Sequence, residues 1–391
     1  MRRTEFHEEI LTQPEILNIT VDQYTKNNDE KLMEIYHRVK KHLSLAEGSI
    51  INRVVFIGIG TSYFAALVAK YYFAAIKTSN SNIDCQIYDA GEFLYHHTLD
   101  SDDDDVLVIF ISQSGESGEI LEILRKLKTA NFPEDQIWGI TNTEDSTLHK
   151  EAAFTLFLYA GTEKTVTNKT YLCTLLVVYM LSRIFEVTID SEAPVCNPLP
   201  FVKALKRSLN SVNTQIQEYL NSWNSNADKL WNFIKLDDNK LPPFINYISR
   251  GTGLATTGQA ALNTKEVAKI YAESISAAMF RHGCIEVINP DYRAVIISNS
   301  ASDRESINRL IENIALNWGK GKVILITNSQ KQADQMERIL NVHVILHEVD
   351  NHFLSPIFEI VPIQVLFYTL AEKNGVNPGQ FRYSSKVTKS H

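Results

Sequence analysis

Cysteine is scarce in this chain: Cys85, Cys173, Cys196 and Cys284 are scattered over 391 residues with no Cys-x-x-Cys pair. That spacing excludes a disulfide framework or a zinc ribbon and fits reduced thiols in a cytosol. Histidine offers no metal set either, because His96 and His97 are adjacent rather than one helical turn apart. Positive charge is in deficit, with 38 Lys and Arg against 46 Asp and Glu, a net charge of −8. With no basic arm to offset it, that balance argues against a nucleic-acid surface. The four carboxylates of residues 102–105 are consecutive, without the spacing of a cation loop, and read as a solvated turn. No charged-then-apolar leader opens the chain. The apolar run 171–185 is too short, and too polar at its flanks, to span a bilayer. These absences lead to the expectation of a cytoplasmic protein without metal, cofactor, nucleic acid or membrane among its partners.

Proline is sparse too, so the three prolines within Glu192-Ala193-Pro194-Val195-Cys196-Asn197-Pro198-Leu199-Pro200 mark the clearest break in the sequence. Apolar residues make up 44%, ample for a core, and the length allows two or three domains. Residues 1–50 read as helical, with one helix opening over Thr4–Leu11 and another over Glu30–Leu43, where apolar residues recur at three-to-four spacing. Strands follow at 53–57, 84–88, 106–111, 136–140 and 154–158, alternating with helix-like segments, the pattern of an α/β unit with a parallel sheet. The expected boundaries are a helical segment over 1–50, one domain over 51–190, a second over 201–373, and a tail over 374–391.

The stretch that organises the rest is Ser112-Gln113-Ser114-Gly115-Glu116-Ser117. It follows the β-branched run of residues 106–111 and precedes an amphipathic helix that is acidic at its start and basic at its end. Backbone N–H groups at such a helix start lack intrahelical partners, so an anion fits there without a lysine. An isolated turn of this kind can equally be an N-cap with extra serines. A second strand-to-helix turn, Gly58-Ile59-Gly60-Thr61-Ser62, shifts the balance. It has no third glycine for a dinucleotide fingerprint and no Gly-Lys-Ser/Thr for a P-loop. Two such turns in one parallel sheet suit a single phosphate group. The pattern then restarts: Gly251-Thr252 matches Gly60-Thr61, and Ser298-Asn299-Ser300 matches Ser112-Gln113-Ser114. This is a diverged internal duplication. The second copy lacks the glycine after its serine turn, which assigns the phosphate to the first.

Gly60-Thr61-Ser62-Tyr63, residues 112–116 and Ala160-Gly161-Thr162-Glu163 resemble the SIS (sugar isomerase) domain of phosphosugar-binding proteins. The likeness is nearest to the isomerase part of glucosamine-6-phosphate synthase and to the amino-sugar-phosphate deaminases and fructosamine-phosphate deglycases. Ala90-Gly91-Glu92-Phe93, Pro356-Ile357-Phe358 and the tail 380–386 extend it over some 340 residues. The resemblance implies an α/β fold of two tandem flavodoxin-like SIS domains, each a parallel sheet between helices, and a homodimer with composite active sites. It places a sugar phosphate on Ser62, Ser112, Gln113, Ser114 and Ser117, the last standing where the synthase has threonine. It places the sugar near Thr61, Val166 and Asn263.

Moving a proton between C1 and C2 of a sugar needs a base, and opening its ring needs a proton donor. Glu266, which alone would read as a surface partner of Lys269, occupies the family's general-base position. His282, in Phe280-Arg281-His282-Gly283, matches the ring-opening histidine that the other subunit contributes; a neutral imidazole suits that role. Lys386 matches the tail lysine that meets the open-chain sugar. Three departures stand out: Asn263 replaces a family lysine, Met279 a glutamate and Cys284 a proline. The sugar end has therefore changed while the phosphate end has not. Met1-Arg2 offers no N-terminal cysteine nucleophile, so no glutaminase domain is expected. The implied function is a phosphosugar isomerase-deaminase acting on an amino-hexose 6-phosphate. A fructosamine-6-phosphate deglycase comes second, favoured by Glu286 and Arg382, and a non-catalytic phosphosugar sensor third.

Overall fold

The structure is a computed structural model that describes residues 3–43, 51–76, 83–189, 199–349 and 351–383. Its internal contacts divide the chain into two units. The first comprises Glu15–Glu163, Asn168–Leu209 and Tyr383–His391, and the second Met1–Pro14, Lys164–Thr167 and Asn210–Arg382.

The first unit is built on five parallel strands: β1 (Arg53–Gly58), β2 (Asp84–Asp89), β3 (Val106–Ile111), β4 (Ile137–Thr141) and β5 (Phe154–Phe157). Their order is β2-β1-β3-β4-β5. Every residue of the central β3 is buried, as an unbroken apolar run between two helical layers must be. On one face Val55, Ile57, Val108 and Phe110 pack against Phe93 of the Ala90–His96 helix and Ile120, Ile123 and Leu124 of the Gly118–Thr129 helix. On the other, Phe56 meets Phe73 of the Thr61–Ala74 helix at 5.9 Å, and Phe73 meets Phe185 at 5.1 Å. The acidic run before β3 is not merely solvated. Arg53 reaches both Asp103 and Asp105 at 2.8 Å, clasping the entrance of β3 to that of β1.

Two helices of this unit are longer than the sequence reading. The Gln13–His42 run is 30 residues and passes through residue 29, where Asp29 has φ +63°. The helix expected from Glu30 thus begins at a local break in a longer one. The apolar stretch 171–185 lies inside a helix of 21 residues, Lys169–Ile189, which is long and apolar enough to cross a membrane. This corrects the expectation that the run is too short. The apolar 18-residue stretch of the helix is nevertheless 72% buried within the protein, and Cys173 on the helix meets the hydroxyl of Thr20. It serves as a core helix of the sheet.

The second unit repeats the architecture with β6 (Phe244–Ser249), β7 (Tyr271–Ser276), β8 (Arg293–Ser298), β9 (Lys322–Thr327) and β10 (Val342–Leu346). All pairs are again parallel, in the order β10-β9-β8-β6-β7. Aligning β6 with β1 and β8 with β3 gives the same topology twice, as the duplicated turns require. The Ser355–Lys373 helix is buried from Ser355 to Ala371. The chain's first helix, Glu5–Leu11, belongs to this unit, where Phe6 contacts Phe367 and Tyr368.

Candidate functional site

In each sheet the strand order reverses direction at one point, between β1 and β3 in the first unit and between β6 and β8 in the second. Crevices beyond the carboxyl ends of strands at such points are where open α/β sheets receive ligands. Both turns singled out from the sequence lie at the first of these, after β1 and β3, whose last residues Gly58 and Ile111 pair in register.

After β1 the chain enters its helix at Thr61, with Gly60 at φ +56°. A Cβ on Gly58 would stand 2.8 Å from the carbonyl carbon of Ser62, so the glycine permits the tight turn. Thr61 and Ser62 are half-buried in the helix's first turn. After β3, the Ser112 hydroxyl accepts from Gly115 N at 3.1 Å and lies 3.0 Å from the Ser117 hydroxyl. Ser114 Oγ accepts from Glu116 N at 3.2 Å. Gln113, Ser114 and Ser117 are half-buried, whereas Ser112 is only 2% exposed. Ser117 stands at the N-cap of the Gly118–Thr129 helix yet makes no side-chain cap bond. Thr4, Asp89, Ser146, Ser276 and Ser329 do accept an N–H of their own helices. The serine turn is thus not a conventional cap. It gathers hydroxyls beside uncapped helix-start donors, an arrangement that attracts an anion.

The sequence did not reveal what holds this turn. The carbonyl of Gln113 accepts from Asn142 N at 3.0 Å and Thr141 Oγ1 at 3.2 Å. The Glu116 carboxylate accepts from Thr147 N at 2.7 Å and from the Thr147 hydroxyl at 3.0 Å. Gly115, at φ +68°, lies so close to Ser146 that a Cβ would come 2.3 Å from its hydroxyl. The 141–147 segment is the clamp, and nothing in its sequence marks it beyond a turn-rich composition.

The remaining candidates belong to the second unit. Val166 is buried, on a strap whose Lys164 N donates to Glu9 at 2.6 Å and whose Thr165 hydroxyl also meets Glu9. Asn263 is enclosed: its amide accepts from Gln259 and donates to the Thr167 carbonyl at 2.7 Å, tying the strap to the Gly253–Asn263 helix. Glu266 is half-buried on a π-helical turn, Thr264–Ala268, that closes this helix before Lys269 turns left-handed at φ +58°. The Lys269 ammonium donates to the Glu266 carbonyl and, at 2.8 Å, to the Gln380 carbonyl. Burial, and then the nearby Arg382, lower its pKa. It therefore acts as a bolt between the Glu266 turn and the start of the tail. Strap, tail and first helix together line a cavity of about 340 Å³ that includes Lys164, Thr165, Gly379 and Gln380. His282 is exposed on the loop after the Ala277–Phe280 helix, and Glu286 is exposed nearby. Lys386 lies outside the described residues. Among the described residues no group of His, Cys, Asp or Glu is arranged to hold a metal ion.

Two parallel doubly wound sheets, the first with a hydroxyl-rich switch point, define an α/β protein. Residues 50–182 match the SIS domain. It is 29% identical over 336 residues to glutamine–fructose-6-phosphate aminotransferase [isomerizing] of Thermococcus kodakarensis, covering 86% of this chain and 52% of that protein. Its fold is similar to the C-terminal domain of glucosamine-fructose-6-phosphate aminotransferase from Francisella tularensis, with a TM-score of 0.79 at 21% identity, covering 97% of this chain and 98% of that one. It is also similar to glucosamine-6-phosphate deaminase of Thermotoga maritima, with a TM-score of 0.59 at 18% identity, covering 95% and 99%. The chain spans about half the length, or less, of the curated relatives it matches.

Proposed function

We propose that this chain is a phosphosugar isomerase-type enzyme acting on an amino-hexose 6-phosphate, which it isomerises and deaminates. The observation that carries the reading is the serine turn after β3, where Ser112, Ser114 and Ser117 stand beside helix-start N–H groups that no side chain caps. A phosphate held there, with Ser62 and Gln113, would anchor one end of the sugar. Relatives named for aminotransferase and deaminase reactions of fructose 6-phosphate and glucosamine 6-phosphate support the substrate class.

In this reading His282 protonates the ring oxygen and opens the sugar. Glu266 takes the C2 proton of the open-chain 2-amino aldose and returns it at C1, while O1 gains a proton and the amine loses one, so that the C1 aldehyde and C2 amine become a C1 alcohol and a C2 imine. Water adds to that imine and ammonia leaves, giving the ketose phosphate. The protein requires a carboxylate able to take a proton and a dry, oriented substrate. His282 reaches the pocket of a second copy, so the functional unit is a homodimer.

The test is ammonia release from glucosamine 6-phosphate, run beside amine release from fructoselysine 6-phosphate, for the wild type and Glu266→Gln. The reading requires ammonia release with solvent deuterium entering C1, and a fall in turnover of about 10²–10⁴-fold in the variant with little change in substrate binding. Amine release alone would replace deaminase with deglycase. Sugar-phosphate binding without turnover would make the chain a sensor.

A further inference from the structure

The second unit carries a cationic cluster that the proposed reaction does not use. Arg250 follows β6 and Arg281 ends the turn before His282, and both guanidinium groups converge on Ser306. Arg250 Nη2 lies 3.4 Å and Arg281 Nη1 3.0 Å from the Ser306 hydroxyl, while Arg281 also donates to the Ser306 carbonyl. Ser306 sits in the first turn of the Arg304–Glu312 helix, whose N-cap Asp303 makes no side-chain cap bond. Two cations on one neutral hydroxyl repel each other, and no described carboxylate forms an ion pair with either. Glu305 is held by Arg309 at 2.7 Å, and Asp303 acts on Arg250 only at longer range. Burial lowers the pKa of Arg281, and the charges of Arg250 and Arg309 lower it further. Arg304, whose Nη2 is taken by Asn328 at 2.9 Å, adds to the positive excess. The Nε atoms of Arg250 and Arg304 are buried without an acceptor. Arg250, Arg281 and Ser306 are each half-buried, so their terminal groups remain within reach of a solute.

We propose that Arg250, Arg281 and Ser306 bind a phosphate group, either free or as a phosphomonoester, at a second anion site separate from residues 112–117. Guanidinium forks match the oxygens of a phosphate in pairs. The Ser306 hydroxyl, which accepts from both arginines, keeps its own proton for a third bond. The helix start adds uncapped N–H groups. This goes beyond the proposed function, and binding of inorganic phosphate needs no turnover to be measured.

The experiment is calorimetric titration of the full chain with inorganic phosphate, then with glucose 6-phosphate, to separate the free ion from a sugar ester. The wild type takes up two phosphates per chain. Arg250→Gln/Arg281→Gln takes up one, Ser112→Ala/Ser114→Ala takes up one, and the two pairs combined take up none. In phosphate-free buffer the arginine variant melts at or above the wild-type temperature, because mutual repulsion has been removed. Should that double variant fail to fold, Arg281→Lys decides: it keeps the charge but not the fork, and phosphate affinity at the second site falls about tenfold. Wild-type stoichiometry and affinity in the folded glutamine variant, or unchanged affinity in Arg281→Lys, would overturn the proposal.

Discussion

Glu359 offers the most quantitative test of how the second unit is assembled. Its carboxyl is fully buried on the Ser355–Lys373 helix and accepts from Asn299 Nδ2 at 2.8 Å and Thr256 Oγ1 at 3.4 Å. His347 Nε2 stands 3.9 Å away, equally buried and without a hydrogen-bond partner. Burial raises the Glu359 pKa to about 8, against the hydrogen bonds from Asn299 and Thr256, and lowers that of His347 to about 4. At neutral pH the pair is then a protonated acid beside a neutral imidazole, not an ion pair. The two groups affect stability with opposite signs. Between the unfolded and folded pKa of Glu359 the native state holds the extra proton, so stability falls as pH rises to about 8. For His347 the unfolded state binds the extra proton, so stability rises with pH from about 4 to its unfolded value near 6.5. The slopes cancel below pH 6.5 and leave the Glu359 slope above it. Stability should therefore drop by roughly 1.5–2 kcal/mol between pH 6.5 and 8 on account of this one carboxyl. Glu359→Gln keeps the shape and the bond accepted from Asn299, turns an amide N–H to the Thr256 hydroxyl, which can accept it, and cannot titrate. Urea unfolding at pH 5, 6.5 and 8 should show the variant gaining on the wild type across both intervals, by that amount across the upper one. A difference constant from pH 5 to 8 would mean that Glu359 is ionised beside a charged His347, and would refute the reasoning.

Gly115→Ala puts a side chain at φ +68° and against Ser146. The thermal midpoint should fall by the equivalent of about 1–3 kcal/mol and the affinity for glucose 6-phosphate should fall with it, and an unchanged midpoint in differential scanning fluorimetry would count against the clamp. Mixing an inactive Glu266→Gln chain with an inactive His282→Ala chain should restore part of the activity, since one pocket of the mixed dimer has both groups intact. A verified mixed dimer without activity would place both groups in one chain.

The first unit was legible because its signals are strong and independent. β3 is six apolar residues in a row, and the amphipathic helix after it starts at Gly118, directly behind the serine turn. In the second unit β9 carries a comparable run, Val323 to Ile326, and is open to the same reading. β7 is not, because an edge strand with Tyr271 and Glu273 exposed has no apolar signature. β10, half-buried at the opposite edge, is equally faint. The location of Glu266 on a helix-like segment was readable, but the π-helical turn was not. It depends on Lys269 adopting φ +58° and reaching Gln380, a contact 111 residues away. The same holds for Asn263, whose amide is fixed by Thr167 across 96 residues. Local patterns gave the elements, and tertiary partners decided what each polar side chain does.

The two copies of the sheet share a topology yet treat their switch points in opposite ways. At the first, main-chain donors are left uncapped beside three serines. At the second, Asn299 bridges from the serine turn to Thr252 at 3.1 Å and to Glu359 at 2.8 Å. A carboxyl from the protein's own helix thus stands where the first copy presents donors. Only a protonated carboxyl is tolerable there, because an ionised one with no cation beside it would be too costly to bury. With the inner crevice filled, a phosphate recruited to the second unit has to sit further out, at the start of the Arg304–Glu312 helix. Main-chain donors at a helix start bind an anion weakly when water competes, so the outer position calls for fixed positive charge. Arg250 and Arg281 supply it, although neither has a counterpart in the glycine and serine turns of the first copy. The Glu359 carboxyl and the arginine pair therefore set the second switch point apart from the first, the one filling its inner crevice and the other placing fixed positive charge further out.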